Sequence, residues 1–288
     1  MPYQTTRDTH TLESIALKLR RDILRMIHRG GSGHPGGSLS VIDILVALFF
    51  AEMSYRPAEP DWPERDRFVL SKGHACAALY ALFSEIGVYP ADEIWTYREM
   101  GSPYQGHPDM LMTRGIELPT GSLGQGLSGA NGMALAGKLD ARGWRVYCVL
   151  GDGECQEGEV WEAALTAAHY RLDNVCAIVD HNKVQQTGKV ADIKGLAPLA
   201  EKWRAFGWQA LEVDGHKMSE ILSALEEARG TRGRPTAIVA HTVKGKGVSF
   251  MEGQSKFHGK APDDQQLKQA LAELDAAAQG TKGGAVNE

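Results

Sequence analysis

The chain has 288 residues, 43% hydrophobic and 23% charged, a composition ordinary for a globular protein. Its net charge of −5 and the lack of a basic tail argue against a nucleic-acid partner, which would need a clustered cationic surface. A chain this long buries roughly three quarters of its unfolded surface, so a large core needs no disulfide or metal staple.

The N-terminus, "MPYQTTRDTH", is polar and has no signal-peptide core. Residues 10–29 place Leu12, Ile15, Leu19, Ile23 and Met26 on one helical face, and glycines at 30, 31 and 33 end the pattern. The segment 39–53, "LSVIDILVALFFAEM", predicts a buried helix, and its longest apolar run (44–50) is too short to span a membrane. Residues 67–75 predict a short strand running into a glycine turn, followed by a helix over 76–87. A loop rich in Gly and Pro covers 100–121. Residues 123–143 then predict a helix whose Gly124, Ser128, Gly132 and Ala136 form a small face open to another backbone.

From there strands and helices alternate: strands at 145–150, 175–180, 208–214 and 236–243, helices at 158–171, 196–207 and 218–230. Such alternation predicts an α/β fold, a mostly parallel sheet with helices on both faces. One domain is expected over 1–270 and a flexible, small-residue tail over 271–288. The cysteines, Cys76, Cys148, Cys155 and Cys176, form no CxxC pair. A reduced, cytoplasmic protein without membrane attachment is the expectation.

In open α/β sheets ligands bind outside the carboxyl ends of the strands. Three predicted strand ends carry polar clusters: "SKGHA" after 70, "GDGECQEG" after 150 and "DHNKVQQTG" after 179. A glycine turn between strand and helix ordinarily cradles phosphate, yet this one is acidic. Asp152 and Asn182 each follow an apolar strand, and one crossover joins those strands. Their oxygens suit Mg²⁺ or Ca²⁺. Asp152 would hold a cation, and the cation a diphosphate. Alone, Asp152 also reads as a helix N-cap and Asn182 as a turn residue. Glu154, Glu157, Glu159 and Glu162 read as acids at a solvated helix start, favoured by the macrodipole.

Five histidines adjoin glycine: His34, His74, His107, His216 and His258. The tripeptide Gly-His-Pro occurs twice, at 33–35 and 106–108. Imidazoles there can exchange protons near neutral pH, although any one of them also reads as a solvated turn residue. His216, in "VDGH", fits an ordinary strand-to-helix turn.

Together these segments resemble the transketolase family. The resemblance rests on GDG followed by Asn at the end of the next strand, and on "SGHPGGSLS", "LSKGHA", "GHPD", "PTGSLGQGLSGANGMA", "DHNKVQQTG", "HTVKGKG" and "FHGKAP" in order. It runs from about 10 to 265 and matches the family's thiamine-diphosphate-binding (PP-type) domain, as in the N-terminal subunit of a split transketolase. The resemblance implies that Asp152, Asn182 and the Val184 carbonyl hold Mg²⁺, with Ca²⁺ a possible substitute. It implies that Gly153 lets the backbone approach the diphosphate, that Gly121, Ser122 and Leu123 meet the cofactor's rings, and that His74 lies beside it. It places His34, His107 and His258 on the sugar channel, as catalytic groups handling hydroxyl protons, and Glu157 at a subunit contact near the cofactor. His181 stands where the family often has an acid or Arg; that position is not a ligand, so the departure puts no ligand in doubt.

The activity implied is transfer of a two-carbon ketol unit from a ketose, expected phosphorylated, to an aldose. The implied partner is a C-terminal transketolase subunit carrying the pyrimidine-binding domain, in an α2β2 assembly. Three alternatives compete: the α-subunit of a 2-oxoacid dehydrogenase, a deoxyxylulose-phosphate synthase, and a non-catalytic module of the same fold. The paired Gly-His-Pro segments argue against the first, the usual long chain of that enzyme against the second, and the intact set of Asp152, Asn182 and histidines against the third.

Overall fold

Two interleaved side-chain patterns on the central strands set the layers. The computed structural model describes residues 3–283. Its strands are β1 (Arg67–Leu70), β2 (Val146–Gly151), β3 (Val175–His181), β4 (Val184–Gln185), β5 (Gly188–Lys189), β6 (Gln209–Asp214) and β7 (Thr236–His241). Five of them form one sheet in the order β1-β2-β3-β7-β6, every pair parallel. The short β4 and β5 pair antiparallel as a separate hairpin. Along β2, Tyr147 and Val149 join one core while Val146, Cys148 and Leu150 join the other. This period of two buries both faces, so each must be covered by helices.

One face carries α1 (Thr9–Arg29), α2 (Pro35–Ala47), α3 (Cys76–Ile86) and α8 (Met218–Gly230), with α9 (Asp264–Gly283) packed on α1. The other carries α4 (Gln125–Leu139), α5 (Gly158–His169) and α7 (Leu199–Ala205); a short α6 (Val190–Lys194) precedes α7. The Asp8 side chain caps α1 by accepting from the Thr11 amide at 2.8 Å. The expected α/β fold, with its mostly parallel sheet between helical layers, is what the structure has. All four cysteines are buried free thiols.

Element boundaries differ most from expectation towards the two ends of the chain. The helix expected over 39–53 begins at Pro35 and changes to π-helical hydrogen bonding over Leu48–Glu52. Gly36 and Gly37 sit in its first turn rather than ending it. A Cβ at Gly36 would lie 3.0 Å from both Lys244 Cγ and the Phe257 carbonyl oxygen, so the glycine serves a close approach. The helical stretch Pro35–Glu52 has the length and mean hydropathy, 1.5, of a membrane span, and 94% of it is buried inside this fold. At the other end, α9 runs through the boundary expected at 270. Residues 271–283 are therefore helical, with Leu274 buried in the core and Arg21 paired to Asp275 at 2.7 Å. The rest of the expected tail, 284–288, lies outside the described residues.

Candidate active site

The carboxyl ends of β1, β2, β3 and β7 point to one edge of the sheet. Register places Gly151 beside Asp180 and His181 beside His241. The segments that follow open on a cleft of about 190 Å³ lined by Lys72, His74, Asp152, Asn182, Val184, Lys244 and His258, among others. Asp152 is buried, and its carboxylate accepts from the amides of Gly153 at 2.7 Å and Lys183 at 2.6 Å. The His181 Nδ1 lies 3.2 Å from the same carboxylate but outside hydrogen-bond alignment. Lys183 holds φ at +67°, a left-handed conformation uncommon for an L side chain, and this kink separates Asn182 from Val184 along one wall of the cleft.

Beneath the cleft lies a network that the sequence patterns did not single out. Asp180, the last buried residue of β3, accepts from Lys72 and Thr242, from Ser40 at 2.6 Å and from Asn182 Nδ2 at 3.0 Å. Burial pushes this carboxyl up, but the Lys72 ammonium and the side-chain hydrogen bonds outweigh it and hold the group below the usual carboxylate range. The bond from Asn182 Nδ2 turns that side chain's Oδ1 away from Asp180, where it accepts from the Val184 amide at 3.2 Å. Lys244 donates to the Val184 carbonyl at 2.9 Å, and its Nζ lies 3.0 Å from His258 Nδ1. Burial, and then the Lys72 charge, lower this ammonium to about 8. The signal for both lysines was available: each stands immediately beyond an apolar strand, within "LSKGHA" and "HTVKGKG".

Four expected histidines converge. His34 lies 5.2 Å from His74, 6.1 Å from His107 and 5.4 Å from His258, ring centre to ring centre, and His74 lies 4.9 Å from His258. Burial lowers all four, reinforced at His34 by Arg98 and at His258 by Lys244; His34 falls to about 4 and His258 to about 3. All are neutral at pH 7, so each ring offers one donor and one acceptor nitrogen. The buried His34 Nδ1 has no protein partner. Gly121 makes this packing possible: with φ at +145°, a Cβ there would sit 2.7 Å from His107 Cδ2. Ser122 and Leu123 follow, both exposed, and Leu123 lines the cleft.

The acids of the "GDGECQEG" turn divide differently from expectation. Glu154 is no solvated helix-start residue. It is buried and accepts from Ser71 Oγ and from the amides of Gly124 and Gly151, each at 3.0 Å. It thus joins the end of β1, the start of α4 and the end of β2. Glu157 is exposed at the N-cap of α5 and lines the cleft without a cap hydrogen bond. His216 lies outside the cleft, paired with Asp43 at 2.7 Å.

These residues fit a metal-bound diphosphate. Asp152, Asn182 and the Val184 carbonyl are oxygen donors, suited to a hard cation. Among the described residues no three His, Cys, Asp or Glu side chains gather as a softer metal site would need. Residues 13–279 match the family model "Transketolase, thiamine diphosphate binding domain". The chain is 46% identical over 264 residues to a Clostridium protein named as a 6-deoxy-6-sulfo-D-fructose transketolase subunit, covering 92% of this chain and 96% of that one. It is 39% identical over 264 residues to an apulose-4-phosphate transketolase subunit of Phocaeicola vulgatus, covering 92% and 94%. Among solved structures it resembles transketolase from Campylobacter jejuni, with a TM-score of 0.86 and 33% identity, over 92% of this chain and 43% of that one. The chain therefore spans less than half of that solved transketolase but nearly all of the two subunit relatives. With the fold, the cleft and these likenesses in agreement, the chain belongs to the transketolase family, in the part that binds thiamine diphosphate.

Proposed function

We propose that this chain is the thiamine-diphosphate-binding subunit of a two-chain transketolase, moving a two-carbon ketol unit from a ketose to an aldose. The observation that carries the reading is the cluster of four neutral imidazoles, two of which, His74 and His258, line the oxygen-lined cleft. Asp152, Asn182 and the Val184 carbonyl would hold Mg²⁺, which Ca²⁺ could replace, and Gly153 leaves the diphosphate room. Lys244 adds a positive charge to the same wall. Gly121, Ser122 and Leu123 would bound the cofactor's rings, with His74 beside them. When bound, thiamine diphosphate supplies a carbon nucleophile and an electron sink. His34, His107 and His258, being neutral, can donate to and accept from sugar hydroxyls and carry a proton between them. Their role is to orient the sugar and manage its protons.

Glu157, exposed beside the cleft, is assigned to the contact with a second subunit. That partner would bring the pyrimidine-binding domain, in an α2β2 assembly, and the buried free thiols suit a reducing, cytoplasmic setting. The test is reconstitution. The chain alone should show no ketol transfer, and adding the partner subunit, thiamine diphosphate and Mg²⁺ should restore it. The ketose panel should include the two substrates named for the relatives. Robust activity without a partner would sink the two-chain reading, and turnover of pyruvate in place of ketoses would sink ketol transfer.

A further inference from the structure

His216 stands outside the cleft, yet both polar contacts of its ring lead towards the cleft's wall. Its Nε2 accepts from the Val243 amide at 2.8 Å, and its Nδ1 lies 2.7 Å from Asp43 Oδ2. A backbone N–H can only donate, so Nε2 must be bare and Nδ1 must carry the proton given to Asp43. Asp43, on α2, is held in turn by both terminal nitrogens of the buried Arg20, at 3.1 and 2.5 Å. The turn bearing His216 sits hard against the strand end that it supports. The Gly215 amide donates to the His241 carbonyl at 2.8 Å, and a Cβ at Gly215 would lie 2.4 Å from Thr242 Cγ2.

Val243 precedes Lys244, and on its other side Gly245 donates to the Gly36 carbonyl of α2 at 2.9 Å. Lys244 is thus fixed to α2 from both flanks: directly through Gly245 and, through His216 and Asp43, at Val243. We infer that His216 is a positioning residue, a strut locked in one tautomer by Asp43 that sets where the Lys244 ammonium enters the cofactor cleft. Without the acceptor at Nε2, the half-buried Val243 amide would lose its protein partner and the loop would shift to satisfy it. The inference rests on the cleft being the cofactor site.

The test uses the full chain assembled with its partner subunit and reads the dissociation constant of thiamine diphosphate with Mg²⁺ by calorimetry. Asn at 216 can still reach Asp43 but is too short to accept from Val243, whereas Gln is long enough to place an oxygen near the Nε2 position. His216→Asn should weaken cofactor binding about 10–100-fold, the range seen when a residue supporting a ligand-holding group is lost. His216→Gln should recover most of it. In a Lys244→Met background, His216→Asn should add nothing, because its effect runs through Lys244. Additive losses in the double variant would overturn the inference. So would an equal loss in His216→Gln, or a lowered melting temperature with unchanged cofactor affinity. Failure of the unsubstituted complex to bind thiamine diphosphate would overturn the cofactor reading together with the strut.

Discussion

Separating Lys72 from Asp180 offers a quantitative test of the network beneath the cleft. Lys72 is 1% exposed and Asp180 0% exposed, and each is the other's only opposite charge in direct contact among the described residues. The two single substitutions are not equivalent. Lys72→Met leaves the carboxylate with hydrogen bonds from Ser40, Thr242 and Asn182. Asp180→Asn leaves a buried ammonium with no opposite charge in contact, only the Gly37 carbonyl, at 3.0 Å, and one neutral amide oxygen to accept from it. Breaking a buried pair costs about 3–5 kcal/mol; the better-supported carboxylate places Lys72→Met at the low end and Asp180→Asn at the high end. Unfolding entropy for a chain of 288 residues is about 0.6 kcal/mol per kelvin, so these losses correspond to melting-temperature drops of roughly 5 and 8 °C. Removing both charges should recover part of the loss, because neither is then left buried and unpaired. The assay is scanning calorimetry at pH 7 on the four proteins of the cycle. Single variants within about 1 kcal/mol of the parent, or a double variant as unstable as the sum of the singles, would refute the reasoning.

Asp152→Ala should abolish Mg²⁺-dependent binding of thiamine diphosphate in the assembled complex, and unchanged affinity by calorimetry would reject the metal assignment. The four neutral imidazoles predict an acid-side loss of stability. Their folded values lie below the ordinary value near 6.5, so the unfolded chain binds more protons, and stability falls as pH drops from about 7 towards 4. The slope is at most ~1.4 kcal/mol per pH unit for each ring, and less for the exposed His107 and the partly exposed His34, His74 and His258. His74→Gln should flatten the melting-temperature profile between pH 7 and 5, and an identical profile would contradict the assignment. Gly121→Ala should displace His107, through the 2.7 Å clash, and raise KM for the sugar; unchanged steady-state constants would remove His107 from the sugar channel.

Local patterns made the sheet legible. The runs at 146–150, 175–179 and 236–240 alternate between two buried faces, and the helices between them have apolar faces of their own, so parallel pairing follows from the alternation, although β7 inserts between β3 and β6. The helix start at Pro35 was hidden because glycine ordinarily ends helices, and only the approach of Lys244 and Phe257 explains it there. The last helix was hidden because "AAAQGTKGG" has little apolar periodicity; it is held largely through α1, far away in the sequence.

The sequence by itself determined the layered α/β architecture, the polar strand ends where a ligand belongs, and the positions of Asp152, Asn182 and the histidines, because each depends on residues that are neighbours along the chain. Tertiary structure decided the rest. Lys72 meets Asp180 across 108 positions, Ser71 meets Glu154 across 83, and His34 faces His258 across the whole fold. Whether a charged side chain is solvated or buried depends on what folds over it, and that is why Glu154 became a cross-strand clasp and His216 a strut to Lys244 instead of ordinary turn residues.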